Sequence, residues 1–295
     1  MPRMHVGVFR AGLSGLHSWH CSDMLSARMN TGKLVRLNRL FAHPSGRLCS
    51  VAVDHFIIYG AGIPEGLRRF RATVAAVVEA RPDAVTMHLG MAAAVWPQHA
   101  GSVPLILQSS LVSLDDSFIE QAATPEDAVR LGADAFAVVA LVRGPSEGRY
   151  LRRVADCVRE AARFEMPVIC HIYPRTYSDQ GVGFSYAPED ITWAARCAAE
   201  VGADVVKVPY CGEVAAYTQI VAECPVRLVA AGGPQTPDLR GALAMMAEVV
   251  QSGAAGATIG RNIWGVAQIG AAVQAFKAVI HEGLGAEAAL KKAGA

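Results

Sequence analysis

Short, almost uninterrupted apolar runs alternate with longer segments of helical spacing along most of this chain. Eight of the runs have the length of strands: Leu48–Asp54, Ala84–His88, Pro104–Gln108, Ala135–Val142, Pro167–Tyr173, Asp204–Val208, Arg227–Ala231 and Gly256–Ile259. Strands that are apolar on both faces are typical of parallel sheets covered by helices. The alternation therefore predicts an α/β protein, and eight such strands without a low-complexity linker predict a single closed (β/α)₈ TIM barrel.

The junctions between helical segments and strands repeat one pattern. A glycine followed by alanine, at Gly132, Gly202 and Gly253, separates a helical segment from the next apolar run. Glycine in this position ends a helix in a left-handed turn, so the repetition supports the count of strands. A doubly wound open sheet is the main alternative, but no GxGxxG sequence follows an early strand.

The predicted barrel accounts for residues 33–281. An N-terminal extension over residues 1–32 precedes it, and a C-terminal tail over residues 282–295 follows it. Barrels of this type average about 250 residues as one unit, which agrees with this length. With 52% hydrophobic residues, the chain has enough apolar side chains to fill such a core.

Composition excludes several classes of partner. The chain has 27 Lys and Arg against 26 Asp and Glu, so its net charge of +1 gives no general attraction to nucleic acid or to an anionic membrane. No apolar run reaches the roughly 18 residues of a membrane span. The seven cysteines form no CxxC pair, which is typical of a reducing compartment. We expect a cytoplasmic protein, and helices with few charges predict a homo-oligomer.

Lys207 is the strongest single indication of chemistry. The chain has only five lysines, and Lys207 alone lies between residues 34 and 276, within the apolar run DVVKVPY. Burial disfavours an ammonium group and lowers the pKa of an unpaired lysine. An amine with a lowered pKa is the nucleophile that forms a Schiff base with a carbonyl. The alternative is a lysine whose stem packs while its charged end reaches solvent.

Catalytic groups of a barrel gather at the carboxyl ends of its strands. Asp54 and Tyr173 end the first and fifth strands, where either could relay a proton. An aspartate after a strand also stabilises turns, and a lone tyrosine also packs, so both alternatives stay open. Gln108 falls at a third strand end, and nothing in the sequence assigns it a role.

Two glycine-containing turns occupy the position where such barrels bind phosphate. Gly232 and Gly233 follow the seventh strand, and Gly260 and Arg261 follow the eighth. Turns without side chains let backbone N–H groups approach an anion. Each turn alone is weak evidence, but their pairing predicts a phosphate site.

Three histidines at strand ends keep a metal site open as an alternative. His55, His88 and His171 could supply the three protein ligands of a catalytic zinc ion. The HxH pair that many barrel metal sites place on one strand is missing, however. We therefore predict a protein that uses neither a metal nor an organic cofactor.

Six motifs in one order give the chain a recognisable pattern. They are Lys33-Leu-Val-Arg-Leu-Asn-Arg39, Val53-Asp54-His55, Tyr173-Pro174-Arg175, Asp204-Val-Val-Lys207, Ala231-Gly-Gly-Pro234 and Ile259-Gly-Arg-Asn-Ile263. Over residues 33–281 the pattern resembles the archaeal-type class I fructose-bisphosphate aldolases. Their relatives include the aminodideoxyheptulosonate synthases and the thiolase that degrades the phosphorylated autoinducer-2 product.

This resemblance implies a (β/α)₈ barrel in which Lys207 forms a Schiff base with a phosphorylated ketose or related keto-sugar. It also implies that Tyr173 shuttles the proton for carbon–carbon cleavage and that Asp54 assists formation and dehydration of the carbinolamine. Substrate binding is implied for seven further residues: His55, His171, Arg175, Gly232, Gly233, Gly260 and Arg261.

Three departures from the family pattern predict a changed pocket for the acceptor aldehyde. Phe56 stands where the family has glycine, Leu89 stands where relatives often have lysine, and the segment 176–186 is longer than expected. The identity of the substrate therefore does not follow from the resemblance. Two other functions stay open: a coenzyme A-dependent acyltransferase acting on a phosphorylated diketone, and a non-catalytic sugar-phosphate-binding barrel.

Overall fold

The computed structural model describes residues 30–55, 62–179 and 181–294. Its helices are α1 Thr31–Leu40, α2 Glu65–Arg68, α3 Phe70–Glu79, α4 Leu89–Val95, α5 Pro125–Arg130, α6 Glu147–Ala162, α7 Pro188–Glu200, α8 Val214–Glu223, α9 Leu239–Gln251, α10 Arg261–Trp264, α11 Ile269–Glu282 and α12 Ala286–Ala293. Its strands are β1 Leu48–Ala52, β2 Ala84–His88, β3 Leu105–Gln108, β4 Ser110–Val112, β5 Ile119–Gln121, β6 Ala135–Val142, β7 Val168–Ser178, β8 Gly181–Phe184, β9 Val205–Val208, β10 Arg227–Ala231 and β11 Gly256–Ile259.

Eight parallel strands close into one barrel. Their order around the ring is β6, β3, β2, β1, β11, β10, β9 and β7, and β7 pairs with β6 to complete it. The pairings between these neighbours are all parallel. The predicted (β/α)₈ barrel is therefore confirmed, and each of its eight strands overlaps one of the predicted apolar runs.

Helices between the strands cover the barrel with aliphatic side chains. The strand residues are almost all buried, and helix residues such as Val154, Ile191 and Met246 pack against them. The glycines that end α5, α7 and α9 have positive φ angles, as predicted from the repeated Gly-Ala pattern. Within the described residues, no helix is both long enough and apolar enough to cross a membrane.

Helix α1 ties the first motif of the sequence pattern to the amino end of the barrel. The Nζ atom of Lys33 lies 2.9 Å from Oδ1 of Asp204, the residue before β9. The other carboxylate oxygen of Asp204 accepts a hydrogen bond from the N–H of Val168, which begins β7. Lys33 therefore belongs to the fold, on the end of the barrel opposite to Lys207.

Two antiparallel hairpins extend beyond the barrel strands. β4 and β5 form one of them, between β3 and α5. β7 continues past its predicted end at Tyr173 and pairs with β8, with Arg175 opposite Phe184. Thr176, Tyr177 and Ser178 are exposed there, so this part of β7 lacks the apolar pattern from which a barrel strand can be predicted. The segment 176–186, expected to be a rebuilt loop, is largely a hairpin.

Two predicted features lie outside the described residues. The N-terminal extension over residues 1–32 is described only from residue 30 onward, and Phe56 falls in the gap after residue 55. At the other end of the chain, α12 occupies most of residues 282–295, the segment predicted as a tail.

Candidate active site

A cavity opens at the carboxyl ends of the barrel strands, where chemistry is expected. Its walls come from the ends of β1, β7, β9, β10 and β11 and the segments that follow them: His55, Tyr173, Phe184, Tyr186, Lys207, Pro209, Tyr210, Ala231, Gly232, Gly233, Pro234, Met245, Thr258, Gly260 and Arg261. An adjoining cavity shares four of these residues and adds four more: Asp54, Val139, Leu141 and His171. We refer to the two together as the barrel-mouth cavity.

Lys207 lies on β9 and is only 5% exposed. It lines both parts of the barrel-mouth cavity. Its Cα is paired with that of His171 on β7 and with that of Val229 on β10. The lysine is thus surrounded by neighbouring strands, with its side chain at the point where the two parts of the cavity meet.

Asp54 follows β1 and is almost completely buried. Its Oδ1 atom lies 3.5 Å from Nδ1 of His55, and its Oδ2 accepts a hydrogen bond from Nε2 of Gln108 at 3.2 Å. Burial alone would raise the pKa of Asp54, but the positive potential of His55 and Lys207 outweighs it and lowers this pKa to about 2. Asp54 is therefore a carboxylate at neutral pH.

The two histidines of the cavity are held in their neutral form. Burial lowers the pKa of His55 to about 4, although the Asp54 carboxylate opposes this shift. Burial and the charge of Lys207 lower the pKa of His171 well below its ordinary value. Neither imidazole competes with Lys207 for the negative charge of Asp54.

Tyr173 brings a phenol to the centre of the barrel-mouth cavity. Its ring packs against that of Phe184 from the β7–β8 hairpin, with 5.2 Å between centroids. Burial and the nearby Asp54 carboxylate raise the pKa of Tyr173 above its ordinary range. The phenol is therefore protonated in the resting protein.

The ends of β10 and β11 form the glycine-containing corner of the cavity. A Cβ atom on Gly232 would lie 2.7 Å from Cα of Ile259, so only glycine lets the two strand ends approach this closely. The N–H of Gly232 donates to the carbonyl of Thr258. Arg261 donates from Nη2 to the carbonyl of Gly233 at 3.3 Å, which joins the two turns across the corner.

This geometry agrees with a comparison to known families. The model of the DeoC/LacD family of aldolases matches residues 48–265, from the start of β1 to the residue after α10. The chain belongs to the DeoC/LacD aldolase family. This membership and the relatives described next confirm the resemblance found in the six motifs and the class I aldolase activity predicted from it.

Three proteins of named activity are similar to this DeoC/LacD aldolase over most of its length. A 2-amino-3,7-dideoxy-D-threo-hept-6-ulosonate synthase from Halobacterium salinarum is 33% identical over 90% of this chain and 97% of its own. A 3-hydroxy-5-phosphonooxypentane-2,4-dione thiolase from Yersinia enterocolitica is 31% identical over 89% of this chain and 87% of its own. An archaeal fructose-1,6-bisphosphate aldolase, solved with its catalytic lysine covalently bound to the carbinolamine intermediate, has a TM-score of 0.74 at 26% identity and covers 84% of this chain and 99% of its own.

Nine of the ten residues proposed from the sequence line the barrel-mouth cavity of this aldolase, and Arg175 is the tenth. The structure places the Arg175 guanidinium behind the wall of the cavity, where it is 1% exposed and lies 2.8 Å from Oδ2 of Asp116. It also donates to Oγ of Ser146 and to the carbonyl of Leu114. Arg175 therefore joins the loop before β5 to the start of α6.

Two further residues at strand ends, to which the sequence assigned no role, belong to the site. Gln108 bridges Asp54 and His171 with its amide nitrogen, at 3.2 Å from each acceptor. Asn262 is buried behind the glycine corner, where its Nδ2 donates to the carbonyls of Gly232 and Pro234. A polar residue directly at a strand end was the available signal for Gln108, and the Gly-Arg-Asn turn was the signal for Asn262.

The three histidines considered as metal ligands do not form a ligand set. Across residues 30–55, 62–179 and 181–294, no group of three His, Cys, Asp or Glu side chains is arranged to hold a metal ion. His171 directs its Nδ1 toward Gln108, and His55 directs its Nδ1 toward Asp54. Both rings are thus oriented by neighbouring side chains.

Proposed function

We propose that this aldolase cleaves and forms a carbon–carbon bond in a phosphorylated ketose or related keto-sugar, through a Schiff base on Lys207. One observation carries the proposal: the lysine is buried on β9 and lines a cavity that also contains Asp54, Tyr173 and the glycine corner with Arg261. The named activities of the relatives, which include a fructose-1,6-bisphosphate aldolase and a heptulosonate synthase, support the substrate class.

The reaction begins when Lys207 gives up its ammonium proton to solvent and the resulting amine attacks the ketone carbon. The carbonyl oxygen takes up a proton to give a carbinolamine. The hydroxyl of the carbinolamine then takes up a second proton from solvent and leaves as water, which gives an iminium ion. The carboxylate of Asp54 stabilises the developing positive charge on nitrogen and accepts a hydrogen bond from the departing water. Because its pKa is about 2, Asp54 acts through its negative charge rather than as a proton donor.

Carbon–carbon cleavage follows when the hydroxyl on the β carbon, two carbons from the iminium carbon, loses its proton and the bond between the α and β carbons breaks. The electron pair of the broken bond moves into the iminium, which leaves an enamine and releases an aldehyde. The positive charge of the iminium favours loss of the Tyr173 phenol proton to solvent, and we assign uptake of the substrate hydroxyl proton to the resulting phenolate. In the direction of synthesis, the protonated phenol donates to the aldehyde oxygen. Protonation of the enamine and hydrolysis of the imine regenerate Lys207.

The phosphate group of the substrate is assigned to the corner formed by Gly232, Gly233, Gly260 and Arg261. Arg261 supplies a guanidinium that binds phosphate with charge-assisted hydrogen bonds. His55 and His171 are assigned to the substrate hydroxyl groups, since both imidazoles are neutral and line the cavity. Arg175 is paired with Asp116, so we assign it to holding the segment between β4 and β5 in place and not to binding the substrate.

Borohydride reduction in the presence of phosphorylated ketones tests the proposal. Mass spectrometry is expected to find the reduced adduct on the peptide that contains Lys207, and Lys207→Met is expected to abolish it. An adduct on Lys277, or turnover by Lys207→Met, would contradict the Schiff-base mechanism. A panel of ketose phosphates with one or two phosphate groups identifies the substrate in the same experiment.

Acyl transfer is the second candidate, because one relative is named a thiolase that acts on a phosphorylated diketone. Lys207 serves either reaction, so product analysis with and without coenzyme A separates them. Products that appear only with coenzyme A favour acyl transfer, and an aldehyde released without it favours the aldolase.

We also propose that the protein works as a homo-oligomer in the cytoplasm. The exposed apolar residues on helices, such as Val35, Met91 and Trp193, support an association between copies. Light scattering coupled to gel filtration tests it, with a mass at or above two chains as the expected result. Fractionation of the producing cells tests the compartment.

A further inference from the structure

Gln108 ends β3 and is completely buried beside the barrel-mouth cavity. Its Nε2 atom lies 3.2 Å from Oδ2 of Asp54 and 3.2 Å from Nδ1 of His171. Its Oε1 accepts a hydrogen bond from the N–H of Ser110 at 3.0 Å. Because a backbone N–H can only donate, this third contact fixes the orientation of the amide, with its NH₂ group toward Asp54 and His171.

The segment after Gln108 is held rigidly against β6. The N–H and the hydroxyl of Ser109 both donate to the carbonyl of Ala137, at 3.0 and 2.8 Å. The hydroxyl of Ser110 accepts a hydrogen bond from the N–H of Val139 at 2.8 Å. The amide of Gln108 is therefore held in position before any substrate binds.

These contacts determine which nitrogen of His171 carries a proton. An amide NH₂ group has two hydrogens to donate and accepts no hydrogen bond. One hydrogen goes to the Asp54 carboxylate and the other to Nδ1 of His171, so Nδ1 must hold a lone pair. A neutral imidazole has a single N–H, which is then on Nε2. The charged or titratable groups that act on this ring are Lys207, Asp54, His55 and His88.

We propose that Gln108 is a positioning residue that holds His171 as its neutral Nε2–H tautomer and holds the Asp54 carboxylate beside it. His171 lines the cavity with Lys207, to which it is paired across β7 and β9. In this tautomer its Nε2 donates a hydrogen bond and does not accept a proton. This tautomer does not depend on which substrate binds. The further step, in which Nε2–H of His171 donates a hydrogen bond to a substrate oxygen, rests on the proposed function.

Imidazole ¹⁵N spectra of the full-length protein test the tautomer directly. The signals of His171 are identified by their loss in His171→Gln. We expect an unprotonated Nδ1 and a protonated Nε2 throughout the range from about pH 6 to pH 8, where an ordinary histidine titrates. A proton on Nδ1 of His171 in the unsubstituted protein would overturn the proposal, whatever the variants do.

Two substitutions of Gln108 extend the test to catalysis. Gln108→Leu removes both N–H donors, and Gln108→Glu keeps the shape but replaces them with a carboxylate beside Asp54. Both are expected to lower kcat by about 10²-fold, the size of effect seen when catalytic groups are misplaced by a small distance. Both are also expected to add Nδ1–H signal at His171. Gln121→Leu, at an exposed glutamine on β5, is the matched control and is expected to keep the kcat of the unsubstituted protein.

The outcomes separate this proposal from the proposed function. If borohydride traps no ketone on Lys207 of the unsubstituted protein, the Schiff-base function fails while the tautomer result stands. If the adduct forms and Gln108→Leu retains both the turnover and the His171 spectrum of the unsubstituted protein, the positioning role fails. If Gln108→Leu does not fold, the isosteric Gln108→Glu and the spectrum of the unsubstituted protein decide whether the positioning role holds or fails.

Discussion

The imidazole of His55 lies directly against the Cα of Gly260, so that a Cβ atom at position 260 would overlap the ring. The two residues follow β1 and β11, which pair in parallel in the barrel. The ring of Trp264 completes the contact from α10, with its centroid 5.5 Å from that of His55. The missing side chain at position 260 therefore sets where His55 stands in the barrel-mouth cavity.

Gly260→Ala is expected to displace His55 and to reduce kcat/KM for the phosphorylated ketose by about 10²-fold. Overpacking of this kind also costs about 1–3 kcal/mol of stability. Gly270→Ala is the matched control, because a Cβ atom there meets no heavy atom within 4 Å and alanine favours the surrounding helix. Steady-state kinetics and chemical denaturation measure both effects. Unchanged kinetics in Gly260→Ala would show that the position of His55 is unimportant.

Tyr173→Phe keeps the ring that packs on Phe184 and removes the phenol. Imine formation on Lys207 is expected to persist, while cleavage falls by about 10²–10⁴-fold, since a general acid–base group contributes that range. Trapping with borohydride measures the first step, and release of aldehyde measures the second. Tyr177→Phe, at an exposed position farther along β7, is the control. Normal cleavage by Tyr173→Phe would move the proton carrier to another residue.

Arg261→Ala is expected to weaken binding of phosphorylated substrates specifically. A charge-assisted hydrogen bond is worth roughly 1.5–3 kcal/mol, which corresponds to about a 10- to 150-fold increase in KM. An analogue without phosphate serves as the comparison and is expected to be nearly unaffected. Arg240→Ala removes an exposed arginine paired with Glu287 on the surface and is the control for loss of charge. Equal effects on both substrates would assign Arg261 a structural role only.

Stability is expected to fall as the pH decreases from about 6.5 to about 4. The pKa of His55 is lowered from 6.5 to about 4, so the unfolded chain binds a proton in this interval that the folded protein does not. A shift of this size corresponds to about 3 kcal/mol in the limit of complete burial. Asp54 acts in a lower window: its folded pKa of about 2 adds stability above pH 3.8 that is lost as the pH falls toward 2.

Urea denaturation at several pH values measures this dependence. His55→Gln is expected to flatten the slope between about pH 6.5 and pH 4, because the neutral amide does not titrate. An unchanged slope in that variant would assign the pH dependence to other groups, of which His171 is the first to test because its pKa is also strongly lowered.

The barrel and its reactive lysine could be predicted because each depends on local sequence. A buried parallel strand needs a short apolar run, and Lys207 interrupts one of these runs, so both signals lie within a few residues. Helix α1 was missed because its residues are mostly polar and its partners, such as Asp204, lie far along the chain. Its stability comes from tertiary contacts that no local pattern encodes.

The placement of Arg175 and Gln108 depends on contacts that the sequence does not reveal. Arg175 follows Tyr173 closely and reaches Asp116 only because the segment between β4 and β5 folds back against α6. Gln108 has its role because β3 brings it level with the ends of β1 and β7, where Asp54 and His171 lie. Which side chains meet inside a closed barrel depends on the register and tilt of its strands, which the linear sequence does not give.

The continuity of β7 constrains how this protein could be redesigned. One unbroken strand carries His171 and Tyr173 inside the barrel and then forms the hairpin that lays Phe184 over the cavity. Side chains alternate between the two faces of a strand. An insertion or deletion of one residue between positions 173 and 178 therefore moves the side chains of the following β7 residues to the opposite face. A hairpin taken from a relative must therefore differ from this one by an even number of strand residues. In a library that varies the hairpin length freely, about half of the members would place the hairpin side chains on the wrong face of the strand.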